Sequence, residues 1–224
     1  MNKNIKLFIL SAIIALLSQG CSMEYDNYNS GVYLNGPYVQ CYYDGELALT
    51  VNSDPTGGLP YLSAGVNLNS DVPVTEYYNG SQTYCDLCQK HSDTLFDGED
   101  FYYSNPAKLC FAHDLVSINF VSDSDYDASH PAGASLLDIM NYSATSLTRW
   151  IKKGYPMDSY QADCYILDKN AATLEPEDLS MLCYFNLFQL QFLTAPTTSG
   201  AHNFTLTITC DDGTVKTLSA RVAF

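Results

Sequence analysis

Basic residues are scarce in this chain: ten Lys and Arg stand against 25 Asp and Glu, for a net charge of −15. A surface this acidic repels phosphate backbones and anionic headgroups, which excludes nucleic acid as a partner. Reaction signatures are missing too. There is no G-x-S-x-G elbow, no H-E-x-x-H pair and no phosphate-binding glycine loop. No repeat of solenoid length occurs, and no long apolar run follows the one at the N-terminus. Trp occurs once, against 18 Tyr and 10 Phe, a balance that favours strands and half-exposed sheet faces. With 46% hydrophobic residues the chain has enough apolar surface to bury a core.

Residues 1–20 read as a targeting segment, with Lys3 and Lys6 before an apolar run over residues 7–17. That run is shorter than the roughly 20 residues needed to cross a bilayer. Gly20 immediately before Cys21 resembles the lipobox of bacterial lipoproteins, although Ser18 stands where the usual Leu would be and Leu17 lies one place further back. The resemblance implies that Cys21 is lipidated and that the membrane is a partner through this N-terminal lipid. Residues 21–36 are polar and acidic, as expected of a tether. Glu24 and Asp26 there resemble the acidic tag of surface-exposed Bacteroidota lipoproteins, implying an outer-membrane lipoprotein at the cell surface or periplasmic face.

Residues 37–224 read as one mainly β domain. Phe204, Leu206, Ile208 and Cys210 alternate with Thr205, Thr207 and Thr209, which is the period of a half-buried strand. Asp212-Gly213 is a hairpin turn signal, returning the chain through residues 215–224. Phe188, Leu190 and Phe192 share a face opposite Gln189 and Gln191, and further strands are expected at residues 39–51, 61–68 and 109–121. Helix signals are confined to the middle. Ser135 and Asp138 resemble a capping box before Leu136 to Met140, and a second short helix over residues 146–153 ends at Gly154. Trp150, spaced from Leu147 and Ile151, closes that helix onto the core. The expected fold is an immunoglobulin-like or related β-sandwich with a short helical insertion. Residues 120–139, which run into His-Pro-Ala-Gly, together with the 204–224 ending, resemble Bacteroidota lipoproteins grouped only as a domain of unknown function. That resemblance implies address and a β-rich fold, and no catalytic residues.

Three constellations invite chemistry. Cys85-x2-Cys88 followed by Cys110-x2-His113 has the spacing of a Cys3His zinc knuckle, with His91 as a rival ligand. Outside the cytoplasm the same cysteines would instead form a local disulfide within residues 85–110, or remain unbonded. Asp123, Asp125 and Asp127 alternate like the opening of a calcium loop, but Ala128 and Ala134 stand where such a loop needs Gly and Glu. The alternative is a solvated turn whose Asp and Ser side chains bond their own backbone. Tyr42, Tyr77 and Tyr102 each belong to a Tyr-Tyr doublet and are candidate contact residues for a sugar or protein, the alternative being sheet packing.

The function these features suggest is a non-catalytic envelope module that binds a glycan or another envelope protein and carries no cofactor beyond a structural zinc or calcium. A hydrolase assembled from loop carboxylates and a structural, pilus-associated subunit are the alternatives. The address is directly testable. Wild-type protein should partition into detergent while Cys21→Ala stays aqueous, and equal partitioning of the two would rule out the lipid anchor.

Overall fold

The structure, a computed structural model, describes residues 24–28, 31–67, 74–76, 81–97 and 108–224. The targeting segment, Cys21, Tyr77 and Tyr102 lie outside them. Among the described residues the fold is mainly β, built from four sheets, and no helix is long and apolar enough to cross a membrane.

The largest sheet has the order β11-β10-β12-β5-β4, from Tyr165–Asn170 (β11), Met140–Thr145 (β10), Asn186–Phe192 (β12), Tyr61–Val66 (β5) and Leu47–Asn52 (β4). A second sheet is formed by Val215–Ala223 (β14), Ala201–Cys210 (β13) and Leu115–Ser122 (β9). Every pairing in both is antiparallel. Their inner faces meet in a β-sandwich core that includes Leu62, Tyr142, Phe188 and Leu190 from one sheet and Phe120, Phe204, Leu206 and Ile208 from the other. The Thr/Leu alternation read from the sequence is the β13 pattern, and Gly213 takes the left-handed φ of 86° that its turn requires.

A third sheet places Val39–Tyr43 (β3) between Val74–Glu76 (β6) and Lys108–Phe111 (β8), the β3–β8 pair being parallel. Strand β3 is buried on both faces. Tyr43 points into the sandwich core, whereas Tyr42 points into a second core with Tyr38, Tyr84, Trp150 and Cys88. Phe111 and Cys110 divide the same way, as do Leu182 and Cys183. Opposed neighbours follow from the period of two in a strand, and a strand packed on both sides reads as an unbroken apolar run rather than an alternation.

Several expectations are corrected. Within the tether expected at 21–36, Glu24–Tyr28 (β1) and Gly31–Gly36 (β2) pair antiparallel, and β2 also pairs Phe96–Asp97 (β7). The β-prone Tyr, Val and Leu residues interleaved there outweigh the polar composition. The capping box at Ser135 does not form. Ser135 makes a β-bridge to Val121, Asp138 takes a bond from His130, and only a 3-10 turn at Leu137–Ile139 precedes β10. Conversely, Gln82–Lys90 is an unanticipated helix (α1), capped by Ser81 accepting from the Tyr84 amide and burying Tyr84 and Cys88 one turn apart. Thr148–Lys152 (α2) is the expected second helix, with Trp150 fully buried and Gly154 at φ 79° just beyond it. A short helix at Tyr160–Cys164 (α3) follows.

Just past α1, Asp93 is completely buried. Its two carboxylate oxygens accept from the Tyr38 and Val39 amides, both at 2.8 Å, and Oδ1 also accepts from the Tyr155 hydroxyl at 2.9 Å. Burial pushes its pKa up from 3.8 to about 6 against the pull of these bonds. Between those two values the folded state holds more protons than the unfolded one, so this group's contribution to stability falls as pH rises from about 4 to 6. Burial lowers the pKa of His91, which acts with the opposite sign in an overlapping window, so a difference curve is needed to isolate Asp93. Asn cannot accept from both amides, and Asp93→Asn should cost roughly 1–3 kcal/mol at pH 4.5. Subtracting the variant's denaturant-derived stability from that of wild type should give a difference that shrinks towards pH 6.5. A difference independent of pH would refute this assignment.

Candidate functional site

The outer face of the five-stranded sheet is interrupted by two β-bulges. The β10–β11 register shifts between Tyr142 and Ala144, and the β12–β5 register shifts between Asn186 and Phe188. Bulges re-aim side chains and break a ladder locally. At the first, Asp168 takes φ 52° and its amide donates to Ser143 Oγ; near the second, Tyr184 takes φ 71°. Gly65 is required opposite this point, because a Cβ there would lie 2.3 Å from the Phe185 carbonyl oxygen.

Between the bulges lies an open groove of about 370 Å³. Its polar lining comes from Ser143, Thr145, Tyr165, Tyr184, Asn186 and Gln189, and no charged side chain takes part. Tyr165 and Tyr184 are each about two-fifths exposed, and Leu167 and Phe185 beside them are also exposed. The groove thus offers aromatic faces, amides and hydroxyls that both donate and accept, within an otherwise acidic protein.

A second cavity, of about 400 Å³, opens beside α1 and gathers His91, Asp114 and Ser180, residue types that recur in catalytic triads. Their connectivity is wrong for a nucleophile. Ser180 Oγ donates to Asp114 Oδ1 at 2.7 Å, whereas an activated Ser must donate to His. His91 Nε2 stands 3.9 Å from the same oxygen. Burial opposes ionisation of Asp114, but His91, Ser180 and Lys90 together hold its carboxyl below the ordinary range, which makes it a weak base. His91 Nε2 and Thr148 Oγ1 are buried there without hydrogen-bond partners.

Of the residues singled out from sequence, His91 lines the second cavity and the others fall elsewhere. Cys85 and Cys88 lie on α1, and Cys110 on β8 beside Cys183. His113 is aimed away, at Asp44 (3.3 Å) and Asp212 (3.5 Å). The zinc set therefore does not assemble. Among the described residues no group of three or more His, Cys, Asp or Glu is placed to hold a metal. The calcium set disperses as well, Asp125 and Asp127 organising their own loop while Asp123 reaches across to β13. Asp123 accepts from Asn203, Asp125 from the Ala132 amide, and Asp127 from the Ser129 and His130 amides. This is the solvated-turn alternative. Tyr42 is fully buried, its ring near Tyr84 and His91, so it offers no contact surface.

Sequence reasoning missed Tyr165, Tyr184 and Asn186. The adjacent aromatics Tyr184-Phe185, just ahead of the "NLFQLQF" strand, were an available signal, and both are exposed. No protein-family model, curated protein or solved structure matches the chain.

The orphaned hydroxyl gives a simple test of the second cavity. Thr148→Val keeps the shape and removes an unsatisfied buried group, so it should leave stability unchanged or raise it by up to about 1 kcal/mol. A loss larger than about 1 kcal/mol on thermal denaturation would show that the hydroxyl is in use.

Proposed function

We propose that the chain is a non-catalytic cell-envelope lipoprotein whose β-sandwich domain binds a neutral glycan in the groove between β10, β11 and β12. The observation that carries this reading is the groove's chemistry: two exposed Tyr side chains share its lining with amide and hydroxyl groups and no charged side chain. Sugar rings present an apolar face and a rim of hydroxyls. The first suits an aromatic platform, and the second suits side chains that donate and accept at once. A shallow site on a rigid sheet also needs little ordering on binding, which limits the entropic cost. The acidic surface repels polyanions and leaves uncharged polymers free to approach.

The same reading places the protein on the outer membrane, tethered through Cys21. It is supported by the lipobox-like Gly20-Cys21 and by the likeness of residues 120–139 and 204–224 to Bacteroidota lipoproteins. Two alternatives are separated by experiment. A loop-assembled hydrolase would turn over polysaccharide, and a pilus-associated or other structural subunit would retain a protein partner in a pull-down from its own envelope without binding any glycan.

A glycan array followed by titration of the best neutral oligosaccharide is the decisive measurement. Tyr165→Ala and Gln189→Ala should each weaken binding by about tenfold, corresponding to roughly 1.4 kcal/mol, with the melting temperature unchanged. Binding that is indifferent to both changes, or turnover of the ligand, would overturn the proposal.

A further inference from the structure

The wall between the two cores carries a pair of cysteines that face each other. Cys110 of β8 and Cys183 form an isolated antiparallel β-bridge, and both are completely buried in the second core. Their Sγ atoms are 2.9 Å apart. Non-bonded heavy atoms come to rest at roughly 3.5–4.0 Å, so the two sulfurs are already inside contact distance. Directly opposed residues in an antiparallel pair have Cα atoms about 4.5–5.5 Å apart, which falls within the roughly 4.4–6.8 Å that a disulfide spans. The backbone is held on both sides of the pair: Phe111 N donates to Leu182 O, Cys183 N to Thr145 O and Tyr184 N to Leu109 O, all at 2.8–2.9 Å. Both thiols also point at one carbonyl, that of Met181, at 3.5 Å from Cys183 and 4.0 Å from Cys110.

We propose that Cys110 and Cys183 form a disulfide that clamps the shared wall. The oxidant is an external disulfide, such as oxidised glutathione or a thiol oxidoreductase. The thiolate of one cysteine attacks it, expelling one external thiol and leaving a mixed disulfide. The second cysteine then attacks its partner's sulfur and expels the other external thiol. One external S–S bond and two protein S–H bonds are lost, while one protein S–S bond and two external S–H bonds are formed. Two electrons pass to the oxidant. The closed loop joins positions 73 residues apart and encloses β9 to β11.

The full chain, denatured in reductant and then refolded in a glutathione redox buffer, meets the oxidant before the fold closes. After alkylation in denaturant without reductant, the folded fraction should show two fewer reactive thiols than a reduced control. Its digest should contain a peptide linking Cys110 to Cys183. Reductant should lower the denaturation midpoint of wild type but not that of the Cys110→Ala, Cys183→Ala double variant. If that variant does not fold, the linked peptide from wild type decides alone. Folded protein in which both cysteines are alkylated, or in which either is linked to Cys88 or Cys164 of the same core, would overturn the proposal.

Discussion

A wall one strand thick has to satisfy packing on both of its sides at once, and β3 with β8 forms such a wall. Tyr42 and Cys110 serve one core while Tyr43 and Phe111 serve the other, so neither core can be repacked without moving its neighbour. The wall is held by polar contacts where strand pairing stops. Asp93 takes the amides of Tyr38 and Val39 at the start of β3, and the Tyr84 hydroxyl donates to the Val39 carbonyl at 2.5 Å. A buried carboxylate used in this way is costly when ionised, and it persists because two strand amides would otherwise be stranded without acceptors.

Strands whose outer face meets solvent were plain in the sequence. The Phe204 to Cys210 alternation, the Asp-Gly turn and the Phe188, Leu190, Phe192 face all correspond to observed strands, because burial on one side writes a period of two into the composition. The wall strands were also expected, within residues 39–51 and 109–121, but their burial on both faces was not legible, for the converse reason. Tyr42-Tyr43 resembled a contact doublet, yet both rings are buried, since a strand with two buried faces needs an apolar residue at every position. The "CDLC" spacing suggested metal because only sequence distance was visible. On α1 those cysteines lie one turn apart, and Cys110 is engaged with a residue 73 positions away that no local pattern could pair with it.

The groove was legible only in part. Gln189 was expected on the outer side of its strand, but Tyr165 and Tyr184 are aimed by bulges and by a left-handed backbone at Tyr184, features that depend on three-dimensional register rather than on residue type. Its neutrality is equally a product of folding. Among the described residues much of the acidity is drawn into ion pairs and turns elsewhere. The buried Asp178, for example, is paired with Arg149 and Lys169 at 2.6 Å each.

The parallel pairing of β3 with β8 also bears on how the chain reaches this state. Val39 lies opposite Lys108, so the wall cannot form until a long stretch of chain has been gathered in, and such non-local contacts slow folding. The hairpin of β13 and β14 is local and needs no such closure. Early structure is therefore expected at the C-terminal end. The two cores, hinged on a wall that closes late, should appear and disappear together as one cooperative unit rather than as separable halves.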